Sequence, residues 1–168
     1  QYNCSFFYVG DIDFAGMKTY LLASGIDRII SKKDFNPNTY NAKWGVHDHI
    51  LLDRVRKDIY FEKSPFLMSV LTLSSHPPYD IPEDDYWAEK DDASVFVNSA
   101  HYTDKYLTLF LDSLENSPVW KNLLVIIVAD HGARFPIDIS YSSPEKFYIP
   151  LLYTGGVVKM DTILHRVC

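Results

Sequence analysis

The sequence predicts an α/β domain in which a mostly parallel sheet is flanked by helices, and three observations support this. The 168 residues, 47% of them hydrophobic, are enough for a single domain with a substantial core. Short apolar runs alternate with segments whose apolar residues recur at helical spacing. Two runs, 66–73 and 123–129, are almost continuously apolar, as parallel strands covered on both faces require. Strands that alternate with helices are typical of βαβ units.

The first half of the chain contains two helices and two strands. The predicted elements are a strand over 4–9, a helix over 13–24, a strand over 28–30, a loop over 31–45 and a helix over 47–61. Gly10 ends the first strand and Gly25 ends the first helix. Asp48 has the position and the side chain to cap the start of the second helix.

The second half contains the two strongest strand patterns and the longest helix. The predicted elements are a strand over 66–73, a loop over 74–82, a helix over 94–114, a strand over 123–129 and a strand over 148–153. Pro118 separates the long helix from the strand that follows it. In such a sheet, sites collect in the loops beyond the carboxyl ends of the strands.

Composition excludes several classes of protein. Sixteen basic and 22 acidic residues give a net charge of −6, so no nucleic-acid partner is expected. No stretch approaches the roughly 20 apolar residues that span a bilayer. Cys4 and Cys168 are too few for a disulfide scaffold and leave both their pairing and the redox compartment open. Residues 1–3 do not show the pattern of a signal peptide, and the chain does not begin with Met. We therefore expect an excerpt of a longer protein.

The second strong strand is followed directly by Asp130, His131 and Gly132. At the point where the strand becomes a loop, Gly132 would free the backbone so that both side chains turn toward one centre. A carboxylate and a neutral imidazole suit a divalent ion such as Mn²⁺ or Zn²⁺. In the alternative interpretation, which an isolated tripeptide favours, Asp130 caps a turn and His131 only packs.

The first strong strand is followed by His76, in a loop that Pro77 and Pro78 would stiffen. If the two strong strands are neighbours, His76 can reach a ligand held by Asp130 and His131. We therefore expect the two strands to lie side by side and to bring these three side chains into one pocket. Alternatively, His76 is an ordinary histidine of a surface loop.

The remaining histidines give weaker signals. His47 and His49 flank Asp48 at a spacing that keeps both rings from sharing a metal on one helical face, so we expect them to be surface groups or groups that support a site from behind its direct ligands. His101 and His165 have no partner that the sequence can identify. No GxSxG elbow, P-loop or GxGxxG is present, and no nucleophile stands out. Two candidate metal ligands are fewer than a metal normally takes, so the sequence contains half of a site.

The order of motifs resembles that of a known family. The matching segments read YVGDIDF, GID, WGVHD, LTLSSHPP, NSAHYTD and VADHG, and they extend from Tyr8 to Gly132. Together they resemble the lipoteichoic acid synthase-like branch of the sulfatase family, within the alkaline phosphatase superfamily. The resemblance covers nearly the whole chain and keeps the order of the family's motifs.

The resemblance implies an alkaline phosphatase-like fold present as a fragment, with residues 1–168 forming the C-terminal part of a catalytic domain. In that family a metal-activated Thr or Ser attacks a phosphate or sulfate ester. By resemblance, Asp130 and His131 belong to the site of one divalent cation, Mn²⁺ or another, and His76 contacts the ester oxygens. The nucleophile and a metal-binding Glu would precede Gln1, so the excerpt itself is expected to be inactive.

The resemblance also implies an extracytoplasmic protein, anchored in the membrane only by N-terminal helices that lie outside this chain. One departure concerns the substrate. Where the lipoteichoic acid synthases have a His, a Trp and an Arg, this chain has Tyr8, Ala15 and Met17. Without the Arg fork, phosphoglycerol is not supported over sulfate or another phosphate ester. Lys43 or Arg134 could compensate, although neither matches a family motif.

Two alternatives remain open from the sequence. The first is a phosphoethanolamine transferase or a phosphatase of the same superfamily, which often binds two metals. The second is a non-catalytic α/β binding module, in which Asp130, His131 and His76 are ordinary loop residues that do not converge.

Overall fold

The predicted alternation of strands and helices is present in the computed structural model. It describes residues 2–63, 65–84, 86–88, 91–133, 135–136, 139–140, 142–160 and 162–163. Its elements are β1 (Asn3–Tyr8), α1 (Met17–Ala23), β2 (Arg28–Ile30), α2 (Asp48–Phe61), β3 (Phe66–Leu71), α3 (Asp92–Glu115), β4 (Val125–Val128) and β5 (Leu151–Thr154). The helix predicted over 13–24 is shorter than expected, because Phe14–Gly16 forms a separate 3-10 turn.

Strands β2, β1 and β3 form a parallel sheet in that order. Strand β1 is central, and its pairing with β3 runs from Asn3 opposite Phe66 to Tyr8 opposite Leu71. The predicted parallel arrangement is therefore confirmed for these three strands. Their carboxyl ends lie at one edge of the sheet, where the loop that carries His76 begins.

Helices cover both faces of this sheet. Alternate residues of β1 point to opposite faces, and Phe7 and Val9 pack with Leu51 and Val55 of α2 in the main core. Tyr8, on the other face, packs with Ile12 and Leu21 in a smaller cluster. The buried residues of α2 on the main core, 51, 55 and 59, are four apart and form one helical stripe. The sheet flanked by helices therefore matches the predicted class.

Strand β4 does not pair with β3, and the expectation that these two strands lie side by side is wrong for the described residues. Strand β4 pairs antiparallel with β5, from Val125 opposite Thr154 to Val128 opposite Leu151, in a separate sheet. An apolar run indicates that a segment forms a strand, but it carries no information about which strand is its neighbour. That choice depends on contacts far apart in the chain.

The prediction that both strong strands are buried on two faces is also wrong. Ile126 and Val128 of β4 are 53% and 55% exposed, and Leu67 of β3 is 52% exposed. About half of each of these side chains is therefore open to solvent. Their apolar character alone was not sufficient to predict their burial.

Two further features concern expectations from composition. Among the described residues, no helix combines the length and the apolar character that crossing a bilayer requires. Cys4 is half-buried and has a free thiol, whereas Cys168 lies outside the described residues.

Candidate active site

His76 lies in the loop after β3, and its imidazole has a defined orientation. The backbone N–H of His76 donates to the carbonyl of Leu73 at 3.0 Å. The ring Nδ1 is 2.9 Å from the carbonyl oxygen of Pro77. A carbonyl oxygen can only accept, so Nδ1 carries the proton in this contact. Nε2 is the ring nitrogen left to meet a ligand, and the side chain is exposed.

Trp44 supports the same loop from a distant part of the sequence. Its indole Nε1–H donates to the carbonyl of Pro77 at 3.0 Å, and its ring meets the imidazole of His76 edge-on with centroids 5.4 Å apart. The ammonium of Lys43 lies 4.8 Å from the centre of the Trp44 ring. These three side chains line one cleft, together with His47 and Asp80. Lys43, considered above as a substitute cation, is thus beside His76, whereas Arg134 lies outside the described residues.

Asp48 does not cap α2 as predicted. His47 occupies the N-cap position, and Asp48 is the first helical residue, with a side chain that is completely buried. Its carboxylate accepts from the backbone N–H groups of Leu73 at 2.9 Å and Ser74 at 3.0 Å. The hydroxyl of Thr103 in α3 is a third partner, 3.3 Å from Oδ2 of the same carboxylate. The capping prediction was wrong because the rule considers only neighbours in sequence, and these partners are 25 to 55 residues away.

The surface alternative predicted for these two histidines is wrong for His47, and His49 is half-buried. His47 is only 2% exposed, and its Nδ1 has no hydrogen-bond partner among the described residues. Burial lowers the pKa of His47, although the Asp80 carboxylate opposes the shift. Burial likewise lowers the pKa of His49, whose Nδ1 is 2.5 Å from the hydroxyl of buried Tyr102. Contacts with α3 and with the loop after β3 bury the His47 ring and half-bury that of His49, and no local pattern reports such contacts.

His101 and His165 are the two histidines for which the sequence identified no partner. The ring of His101 stacks on that of Tyr86 with centroids 4.7 Å apart, a partner that the sequence did not indicate. His165 lies outside the described residues.

Asp130 and His131 follow β4 directly, and their side chains face each other. The carboxylate Oδ2 of Asp130 is 3.6 Å from Nε2 of His131, and the two side chains are 71% and 77% exposed. Nδ1 of His131 is 2.9 Å from the carbonyl oxygen of Gly132, so this nitrogen carries the ring proton. In the neutral ring, Nε2 then presents its lone pair beside the carboxylate.

This geometry fits a shared divalent cation. Metal–nitrogen and metal–oxygen distances of about 2.1 Å in a tetrahedral arrangement place two ligand atoms about 3.4 Å apart. The observed separation of 3.6 Å is close to that value. The bond from Nδ1 to a backbone carbonyl is the arrangement that usually orients a metal-binding histidine. Within the described ranges, no cluster of three or more His, Cys, Asp or Glu residues is assembled, so the structure adds no third candidate ligand to this pair.

Gly132 is required for a reason other than backbone freedom. Its φ lies outside the positive range that favours glycine. A Cβ at this position would collide with the carbonyl oxygen of Lys146. The expected role of Gly132 is therefore corrected: the loop after β4 passes so close to the Pro144–Phe147 turn that no side chain fits.

The structure places His76 and the pair of Asp130 and His131 after strands of two different sheets. An aromatic contact between Phe96 and Phe135, with centroids 6.2 Å apart, joins α3 to the loop after β4. No strand pairing among the described residues brings His76 to the pair, so their common pocket stays a prediction.

The fold is that of an α/β protein of the alkaline phosphatase superfamily. A solved structure of a protein in this superfamily from Vibrio parahaemolyticus superimposes with a TM-score of 0.77 and 28% sequence identity. The match covers 94% of this chain and 39% of that chain. Enzymes of the superfamily generally use a divalent metal.

The sequence model of the Sulfatase family matches residues 1–155, and the chain belongs to this family. It is 30% identical over 114 residues to the lipoteichoic acid synthase-like protein YvgJ of Bacillus subtilis (strain 168). It is 28% identical over 174 residues to phosphoglycerol transferase I of Xanthomonas euvesicatoria pv. vesicatoria (strain 85-10). These matches confirm the family resemblance stated from the motifs.

The chain is much shorter than these relatives. The first match covers 64% of this chain and 18% of YvgJ, and the second covers 95% of this chain and 24% of the transferase. The family is one of phosphate- and sulfate-ester enzymes, and this chain spans well under half the length of these relatives.

Proposed function

We propose that this chain is part of a metal-dependent enzyme that transfers or hydrolyses phosphate or sulfate esters. The observation that supports the proposal is the pair of Asp130 and His131, whose Oδ2 and Nε2 atoms lie 3.6 Å apart with Nε2 unprotonated in the neutral ring. Family membership and the named transferases among the relatives support the same class of reaction. The complete enzyme acts outside the cytoplasm and is anchored in the membrane by segments beyond this chain.

Each residue has a role that follows from its contacts. A divalent cation, when bound, lowers the pKa of a hydroxyl nucleophile and offsets negative charge on the ester oxygens. Asp130 contributes negative charge to hold it, and the Gly132 carbonyl keeps the His131 proton on Nδ1. His76 meets the ester through Nε2. Because the Nδ1 proton is directed at Pro77, His76 donates to an ester oxygen only as the imidazolium.

The cleft beside His76 fits an anionic group better than the 8–17 region does. Lys43 supplies an ammonium group next to Trp44, whereas the side chains of Ala15 and Met17 carry no donor for an oxyanion. Asp80 lines the same cleft, and its carboxylate accepts the backbone N–H of Lys43 at 3.1 Å. A single ammonium does not reproduce the bidentate grip of an Arg, so both phosphate and sulfate esters remain substrates.

The metal site is tested by titrating the chain with Mn²⁺ and following the free ion by electron paramagnetic resonance. We expect Asp130→Asn and His131→Gln each to weaken binding at least tenfold, since each removes one of two ligands. His101→Gln is the matched control, because His101 is an exposed histidine that stacks on Tyr86. Binding that is equal in all four proteins would overturn the metal assignment.

The reaction is tested with p-nitrophenyl phosphate and p-nitrophenyl sulfate in the presence of Mn²⁺. We expect no turnover by residues 1–168 alone, and turnover of at least one ester by a chain extended on its N-terminal side. Turnover by residues 1–168 would contradict the proposal that the nucleophile lies outside them. His76→Ala in the extended chain should lower the rate on the ester that is used.

A further inference from the structure

The buried carboxylate of Asp48 has a second consequence, which rests on the proposed contact between His76 and the ester. We propose that Asp48 is the positioning residue for His76: its carboxylate fixes the end of β3 and thereby the place at which the imidazole is presented. Asp48 is completely buried. It is the first residue of α2, where a negative charge is favoured by the helix dipole, and it faces the loop after β3.

A direct series of hydrogen bonds links the two residues. The Asp48 carboxylate accepts the backbone N–H of Leu73, at 2.9 Å, and that of Ser74, at 3.0 Å. The carbonyl of the same Leu73 accepts the backbone N–H of His76 at 3.0 Å. Leu73 is therefore bonded to Asp48 on one side and to His76 on the other, so a shift of the carboxylate moves the loop that carries the imidazole.

A second series approaches the loop from α3. The Thr103 hydroxyl is 3.3 Å from Oδ2 of Asp48, and also 3.3 Å from the hydroxyl of Ser75, which directly precedes His76. The backbone N–H of Asp48 lies 3.3 Å from the Ser74 hydroxyl. Asp48 thus joins α2, α3 and the end of β3 at a single buried point.

The side chain at this position has to offer two acceptor oxygens at once. Leu73 donates to Oδ1 and Ser74 to Oδ2, and both donors are backbone N–H groups that cannot reverse their polarity. An asparagine would satisfy one of them and place its own NH₂ group against the other. The unpaired donor would then be shielded from water, and the loop would have to move to satisfy it.

The test is a double-mutant cycle in the N-terminally extended enzyme with the p-nitrophenyl ester that it turns over. The variants are Asp48→Asn, His76→Ala and the two combined. We expect Asp48→Asn to lower kcat at least tenfold, which corresponds to about 1.4 kcal/mol. In the His76→Ala background we expect it to change kcat less than twofold, because the group that it positions has been removed.

The matched control is Val55→Ala, a truncation on the same helix seven residues further along, at a side chain that is 1% exposed. This substitution destabilises the core but removes none of the hydrogen bonds from the Asp48 carboxylate to Leu73 and Ser74. We expect its effect on kcat to be small and the same in both backgrounds. Equal effects of Asp48→Asn in both backgrounds would show a merely structural role and overturn the positioning inference.

The outcome also separates this inference from the proposed function. If His76→Ala leaves kcat and KM unchanged, the proposed ester contact fails, and the positioning inference fails with it. If His76→Ala lowers kcat but Asp48→Asn acts independently of it, only the positioning inference fails.

A spectroscopic readout in residues 1–168 covers the case in which the extended enzyme turns over neither ester. The indole Nε1–H of Trp44 donates to Pro77, next to His76, so its NMR resonance reports the geometry of the loop. We expect Asp48→Asn to shift this resonance and Val55→Ala to leave it in place. If Asp48→Asn leaves the chain unfolded, Thr103→Val replaces it, since that change removes one of the contacts to the carboxylate. If neither Asp48→Asn nor Thr103→Val shifts the Trp44 indole resonance, the inference is overturned.

Discussion

The loops after β3 and β4 carry the two halves of the candidate site, and they are held in different ways. His76 is supported by residues far away in sequence, since Trp44 bonds the carbonyl of Pro77 and Asp48 bonds the strand end. Asp130 and His131 are held by each other and by the adjacent Gly132, and their side chains are more than 70% exposed. One loop is anchored in a buried core, and the other depends on local contacts.

This difference indicates which half of the site is preorganised. The orientation of His76 is determined by hydrogen bonds to Pro77 and by the strand end that buried Asp48 holds, all of which exist before any ligand arrives, so it costs little additional ordering on binding. The exposed side chains of Asp130 and His131 would lose rotamer freedom on binding a cation. We infer that the affinity of this pair for a cation depends on ligands beyond the two residues themselves.

The largest expected effect compares the two sheets directly. Leu51 is fully buried against the parallel sheet, and Leu51→Ala should lower the free energy of unfolding by about 2–5 kcal/mol. Ile126 of β4 is 53% exposed, and Ile126→Ala should lower it by less than about 1 kcal/mol. Urea unfolding of both variants measures the difference. Equal losses would mean that the face of β4 is as well covered as the core, which would end the contrast.

A smaller effect is expected from pH. Burial holds the pKa of His47 below its usual 6.5, so the folded chain binds fewer protons there than the unfolded chain does. The contribution of His47 to the free energy of unfolding is therefore fully present above pH 6.5. It is lost as the pH falls from 6.5 toward the lowered pKa, by at most about 1.4 kcal/mol per pH unit. His47→Phe should flatten the decline in unfolding free energy between pH 7.5 and 5.5. If stability of the His47→Phe variant declines as steeply as that of the unchanged chain, this account is contradicted. His49→Phe should also flatten the decline, because burial lowers the pKa of His49 as well.

The smallest effect on stability, with a clear local consequence, is expected at Gly132. A Cβ there would meet the carbonyl of Lys146, so Gly132→Ala should displace the loop after β4 and weaken Mn²⁺ binding. The unfolding of the parallel sheet should change little, because its core does not include this loop. Mn²⁺ titration and urea unfolding of the same variant separate the two effects. Unchanged Mn²⁺ binding would indicate that the loop accommodates the methyl group without moving the pair.

Local patterns were sufficient for most of the elements. The strand at 28–30 has the bounds that were predicted, and α2 and α3 begin and end within two residues of theirs. The apolar stripe of α2 is visible in sequence because helical periodicity depends only on spacing. The positions of His76 and of the pair at 130–131 at strand ends were visible for the same reason.

The supports of the site were not visible. Asp48 looked like a helix cap, and Trp44 had no assigned role, because their partners lie 25 and 33 residues away. The neighbour of β4 was predicted incorrectly, since an apolar run fits any sheet position. Had the buried position of Asp48 been known, its charge would have required donors nearby, and that requirement is the signal that could have identified it.

The order of residues by itself determined where strands and helices form and which chemical groups stand at their ends, because backbone preference and apolar periodicity act over a few neighbours. Only the tertiary structure decided which strands pair, which carboxylate is buried and which imidazole is held. Those outcomes depend on hydrogen bonds and packing between segments that fold together from distant parts of the chain.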